Sequence, residues 1–200
     1  MKHAFVGQIA GVGSTSGVRV VVGSWSSSPL GAFADVMVAD AQGRRHLLAP
    51  SARVADFVAQ TYHFDRVAVG QVSVDSHGRG WTVSAPDLEL EMLLGSRTAL
   101  GWLLRCVPGP VARSVAFSAV TDPIARVVLP GVRTRGTAGN GRTECYGAAD
   151  VHAIDAIRGR WQDTDLGELA QVFPDPGFGF GSTPRRPGIT SLTTTVIGPE

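Results

Sequence analysis

The stretch Val18-Arg19-Val20-Val21-Val22-Gly23-Ser24-Trp25 decides the fold class, because the runs on either side repeat its texture. Residues branched at Cβ are stiff and fit a pleated strand better than a helix. Ser26-Ser27-Ser28-Pro29 breaks the run, Ala32 to Ala39 resumes it, and Asp40-Ala41-Gln42-Gly43 has the composition of a hairpin turn before Arg44 to Ala49 returns. Upstream, His3 to Ala10 predicts a first strand and Gly11-Val12-Gly13-Ser14-Thr15-Ser16-Gly17 a turn.

Working outward towards the C-terminus, the texture changes after Pro50. Val54, Ala55, Phe57, Val58 and Tyr62 fall at helical spacing, so Ala52 to Tyr62 predicts a helix with Ser51 as its N-cap. Val67 to Asp75, Trp81 to Ala85 and Leu88 to Leu94 predict strands, with Ser76-His77-Gly78-Arg79-Gly80 as a turn. Ser96 to Cys106 carries one broad apolar face and predicts a second helix, stopped by Pro108-Gly109-Pro110. Val111 to Val120 and Ile124 to Leu129 read as extended runs around Thr121-Asp122-Pro123. Val132 to Thr137 and Arg142 to Ile157 read as a hairpin with a long second arm. Asp165 to Val172 predicts a short third helix, Phe173 to Gly188 a loop, and Ile189 to Ile197 a closing strand. Strands do not alternate regularly with helices, which disfavours a parallel α/β sheet. The expectation is a mainly β (α+β) fold, an antiparallel β-barrel or strongly bent sheet with two or three covering helices, in a single domain over residues 1–200.

Composition narrows the function classes. Of 200 residues 44% are hydrophobic, enough for a core, and the formal net charge of +1 offers no electrostatic basis for binding nucleic acid or an anionic membrane. No apolar run approaches the length of a spanning helix, and Gly7, Gln8, Gly11 and Gly13 interrupt any signal-peptide core, so a cytoplasmic location is expected. Lys2 is the sole lysine, at a chain end, which sets lysine covalent chemistry aside. Cys106 and Cys145 form no disulfide framework and no zinc motif, and each reads as a small buried residue. Gly11 to Gly17 lacks the Gly-Lys-Ser/Thr end of a phosphate loop and leads into a strand. Asp150-x-His152 and His63-x-Asp65 each offer two metal ligands, too few for a site, so no metal and no cofactor is expected.

The long arm after Gly141 carries the best chemical signal. Alternate residues of a strand share a face, so Arg142, Glu144, Tyr146, Asp150 and His152 line up opposite the small Thr143, Cys145, Gly147 and Ala149. Turned into a barrel lumen, that face would supply acid, base and cation to a polar pocket; turned outward, it simply meets solvent. Asp35 is the second signal, a carboxylate inside an apolar run with the parity of Phe33 and Met37, hence expected to be buried. Arg19 is its counterpart on the preceding strand. A structural Asp35–Arg19 pair is one reading, and Arg19 clamping a ligand carboxylate is the other. Gly177-Phe178-Gly179-Phe180-Gly181 reads either as a lid over a ligand or as a crossing whose Phe side chains plug the core.

The runs Gly13-Ser14-Thr15-Ser16-Gly17-Val18-Arg19, Ser28-Pro29-Leu30-Gly31-Ala32-Phe33-Ala34-Asp35 and Phe178-Gly179-Phe180-Gly181-Ser182-Thr183-Pro184 together resemble an uncharacterised protein family of high-GC actinobacteria, over nearly the whole chain. That resemblance implies no activity. In texture the succession of strands is also similar to the barrel of acetoacetate-decarboxylase-like proteins. The active lysine of that family has no counterpart here, so the resemblance implies a barrel and not the decarboxylase chemistry.

Two functions remain in view. One is a small-molecule-binding β-barrel, whose catalytic version is a cofactor-independent enzyme with Glu144 or Asp150 as general base, His152 or Tyr146 as acid, and Arg142 or Arg19 holding an anion. Asp35, Arg19 and Arg142 are its candidate ligand-binding residues. The other is an interaction or structural protein acting through a sheet edge or helix face, with Trp102 and Trp161 as contacts and a homodimer allowed. Concentration of polar groups on one strand face favours the first.

Overall fold

The computed structural model describes residues 2–108, 111, 135–137, 141, 143–179 and 183–198. The first run is longer than the sequence suggests. Strand β1 spans Lys2–Ser14, and the turn shrinks to Thr15, Ser16 and Gly17. Gly11 and Gly13 continue the strand because they pair across from Val21 and Arg19. Strands β2 (Arg19–Ser27), β3 (Phe33–Ala39) and β4 (Arg45–Ala49) follow as antiparallel neighbours, as their alternation predicts.

Helix α1 (Ala52–Ala59) begins where expected, with the Ser51 hydroxyl accepting from the Val54 N–H at 3.3 Å, and ends three residues before Tyr62. The following run divides in two. Strand β5 (Arg66–Val69) lies parallel to β4, making a local β-α-β unit, and β6 (Ser73–His77) belongs to the other end of the sheet. The Gly70 N–H donates to the Ala49 carbonyl at the point of departure. Strands β7 (Gly80–Ala85) and β8 (Leu88–Arg97) are antiparallel, and helix α2 (Ala99–Arg105) is capped by the Thr98 hydroxyl.

Strand β9 (Arg135–Thr137) pairs with the start of β10 (Thr143–Trp161), the long arm. The expected runs at 111–120 and 124–129 lie, but for Val111, outside the described residues. No helix forms over 165–172. That stretch instead holds two short strands, β11 (Thr164–Asp165) against β10 and β12 (Leu169–Ala170) against β1. Gly167 between them takes φ 72°, and its N–H donates to Asp165 Oδ1, so the chain bends where a helix would have to continue. Strand β13 (Gly188–Ile197) closes the order, lying between β1 and β10 as the last piece of the chain.

Among the described residues all the strands join one strongly curled sheet, ordered β5-β4-β3-β2-β1-β13-β10-β8-β7-β6, with only β4 and β5 parallel. The curl brings its two ends together. Val22, Val36 and Leu48 from one end pack with Trp81, Val83 and Leu90 from the other, and Trp161 completes that cluster. This core fills one face of the sheet. On the opposite face Leu47 and Ala49 pack beneath α1, while Val21 and Ala39 pack against Phe178. Phe178 therefore plugs the core, its ring 5.8 Å from that of Phe64. Phe180 lies outside the described residues.

The two cysteines are unpaired. Cys145 is buried as expected, but Cys106, the C-cap of α2, is exposed. No described helix is long and apolar enough to cross a membrane.

Candidate functional site

The site lies on the α1 side of the sheet, and strand alternation selects its walls. Register sets Trp25 opposite Phe33, Gly23 opposite Asp35, and Val21 opposite Met37, so these side chains share the face under α1. Ile9 lies across from Gly23 on β1, and Phe5 across from Thr194 on β13. Tyr146 and Glu144 face Thr194 and Val196 from β10. Phe57 and Val58 of α1, followed by Thr61 and Tyr62, close the top. These walls line a partly open cavity of about 50 Å³, where about 10–15 Å³ is enough for one water.

Two polar groups project into otherwise apolar walls. The first is Asp35, which is 4% exposed and accepts a hydrogen bond from Trp25 Nε1 at Oδ1 (2.9 Å). Gly23 makes this bond geometrically feasible. A Cβ there would lie 2.5 Å from Asp35 Oδ1 and 2.7 Å from Trp25 Nε1. Burial pushes the Asp35 carboxyl from 3.8 up to about 6, against the smaller opposing effect of the Trp25 bond. The group thus exchanges its proton close to neutrality.

The second group is a three-oxygen cluster. Tyr62 donates its O–H to Glu144 Oε2 at 2.8 Å, Tyr146 donates to the same oxygen at 2.9 Å, and the two hydroxyls are 2.9 Å apart. Burial first, then the neighbouring Tyr146 and Glu144, hold the Tyr62 phenol well above its ordinary value of 10, so it stays a donor at any physiological pH. Nearby, the buried Thr194 Oγ1 has no hydrogen-bond partner among the described residues, although Thr194 lines the cavity. The arrangement offers one titratable acceptor, one fixed acceptor with two phenols, and one uncommitted hydroxyl.

The structure separates the residues that the sequence aligned on one face. Glu144 and Tyr146 reach the cavity, but Asp150 and His152 do not. Ala148 pairs with Leu192 and Asp150 with Ser191, so Ala149 is an extra residue, a β-bulge that reverses the alternation. Beyond it Asp150 holds Arg97 through three bonds, Nε to Oδ1 at 2.8 Å and to Oδ2 at 3.1 Å, and Nη2 to Oδ2 at 2.9 Å. His152 Nε2 lies 3.6 Å from Asp150 Oδ2, and the Arg97 guanidinium stacks 4.6 Å above the ring of Trp102. Arg97 keeps the Asp150 carboxyl below its ordinary value. This cluster docks α2 on β10.

Asp35 is buried, as its parity predicts, but its partner is Trp25 and not Arg19. Arg19 lies off the cavity, with Nη2 donating to the Asp40 carbonyl at 3.2 Å. Its register partner on β3 is Ala39, four residues from Asp35, which is why no pair forms. Arg142 lies outside the described residues. Of the two tryptophans singled out as contacts, Trp161 is buried in the core against His46, whereas Trp102 is 60% exposed.

Sequence reasoning missed Trp25, Tyr62 and Thr194. Trp25 shares the parity of Asp35 across the hairpin and could have been found from it. Tyr62 was legible only as a helix-face residue, and nothing local tells that it meets Glu144, 82 positions away. Among the described residues no three His, Cys, Asp or Glu side chains converge as metal ligands would, and the cavity lining contains no lysine.

No protein-family model matches the sequence, and neither does any curated protein. Among solved structures the chain is similar to acetoacetate decarboxylase from Legionella pneumophila, at 8% identity and a TM-score of 0.44, over 99% of this chain and 85% of that one.

Proposed function

We propose that this protein binds a small, mainly apolar molecule in the cavity between the sheet and α1. One observation carries the reading: aromatic and aliphatic walls surround a few converging polar groups, namely Asp35, the Glu144–Tyr62–Tyr146 cluster and the Thr194 hydroxyl without a partner among the described residues. Binding pockets have this composition, because apolar walls supply affinity while a few placed polar groups supply orientation. A buried hydroxyl left without a partner costs free energy that a ligand's polar atom would recover.

Native mass spectrometry of gently purified protein, beside a denatured sample, tests the reading. The expected result is a noncovalent adduct that is lost on denaturation and absent from a Val196→Phe variant, whose ring fills the cavity. An adduct retained by that variant places the ligand elsewhere. Bare protein, with the indole resonance of Trp25 unmoved by a panel of small amines, alcohols and hydrocarbons, removes the proposal.

A further inference from the structure

Accepting that the cavity is a binding pocket, we infer that its ligand is a small organic cation, an alkylated ammonium held beside the Asp35 carboxylate within aromatic walls. The walls come first. Phe5 packs with Trp25, Phe33 and Phe57 at ring-centroid distances of 5.7, 6.4 and 5.1 Å, and all four rings line the cavity together with Tyr62 and Tyr146. Aromatic faces carry negative potential and attract cations, and they accommodate alkylated ammonium groups whose charge is spread over apolar surface.

The charges point the same way. Asp35 has no cationic side chain in ion-pair contact among the described residues, and its one described hydrogen bond comes from Trp25. Among the described residues the other titratable groups that line the cavity are Glu144 and Tyr146 on β10 and Tyr62 after α1, all acids. His3 on β1 meets Phe57 in a near-perpendicular ring contact, with the centroids 6.2 Å apart. An anionic ligand would face the buried Asp35 carboxylate. A neutral one would leave a buried carboxylate without compensation. Glu144 already receives two O–H bonds, so Asp35 is the seat for the positive charge. A bare metal ion or a simple ammonium sheds its water reluctantly and would find too few oxygens in these walls, whereas methyl groups on nitrogen fit them. The Thr194 hydroxyl remains for a polar arm of the ligand.

The test compares choline with its uncharged isostere 3,3-dimethylbutan-1-ol, read by the indole N–H resonance of Trp25 and assigned with Trp25→Phe. The expected result at pH 7.5 is saturable binding of choline at least about tenfold tighter than the isostere, a preference abolished in Asp35→Asn. Choline affinity should fall about tenfold per pH unit below about 6, as protons compete for Asp35. Equal or tighter binding of the isostere, or a preference that survives in Asp35→Asn, overturns the cation while leaving the pocket. If neither compound moves the resonance but the native adduct is present and lost in Val196→Phe, the cation falls and the binding function stands. If the adduct is missing as well, both fall.

Discussion

Replacing Asp35 with Asn should raise this protein's stability relative to the wild type as pH rises towards neutrality, an unusual outcome for a substitution in a buried site. The carboxyl binds its proton more tightly folded, with its midpoint at about 6, than at the ordinary 3.8. Between those values the native state holds more protons than the unfolded chain, so stability is fully present below 3.8 and is lost as pH rises through the window. The difference of about 2 pH units corresponds to about 3 kcal/mol. Asparagine carries no charge and keeps an Oδ1 to accept from Trp25 Nε1. Its amide adds a donor whose cost does not vary with pH. The stability of the variant relative to the wild type should therefore rise by about 3 kcal/mol from pH 3.5 to pH 7.5, or roughly 6–12 °C in melting temperature for a chain of this length. Urea titrations followed by tryptophan fluorescence at both pH values measure it. A gap that stays constant, or a wild type that gains on the variant as pH rises, would refute the assignment of Asp35 as a destabilised carboxylate.

Two further substitutions probe the neighbouring geometry. Gly23→Ala should cost about 1–3 kcal/mol and displace the Trp25 indole N–H resonance, since the new methyl overlaps both ends of the Trp25–Asp35 bond. An unmoved resonance would show that the pair does not depend on Gly23. Asp150→Asn should cost about 1–3 kcal/mol at pH 7 through its bond to Arg97, while choline binding at the cavity stays at the wild-type value. The Asp150 carboxyl is lowered, so its contribution is present above the unfolded carboxylate value and lost as pH falls through the folded one. The variant and wild type should therefore converge in acid, as urea titrations at pH 7 and pH 2 would show.

Much of the fold was legible because its signals are local. The crowded β-branched residues of Val18 to Val22, the turn at Asp40 to Gly43 and the Ser51 cap each act over a few positions, and the structure keeps all three. Asp35 was legible for the same reason: alternation with Phe33 and Met37 assigns it to their face whatever it meets there. The third helix failed because Gly167 and Asp165 supply a bend stronger than the weak apolar spacing around them. The long arm failed in phase and not in type, since one inserted residue at Ala149 leaves the strand intact while sending Asp150 and His152 to the other face.

By itself, then, the chain's order of residues determined where strands begin and turn, which face each apolar side chain takes within a run, and that Asp35 would be enclosed. Those are consequences of steric preference and of a two-residue period, and both are properties of neighbours. Only the tertiary structure decided that Tyr62 and Glu144 share a hydrogen bond, that Trp25 rather than Arg19 answers Asp35, and that Thr194 has a buried hydroxyl with no partner among the described residues. Those contacts join segments far apart in the chain, and they are selected by strand order, register and the curl of the sheet, which no short stretch of sequence encodes.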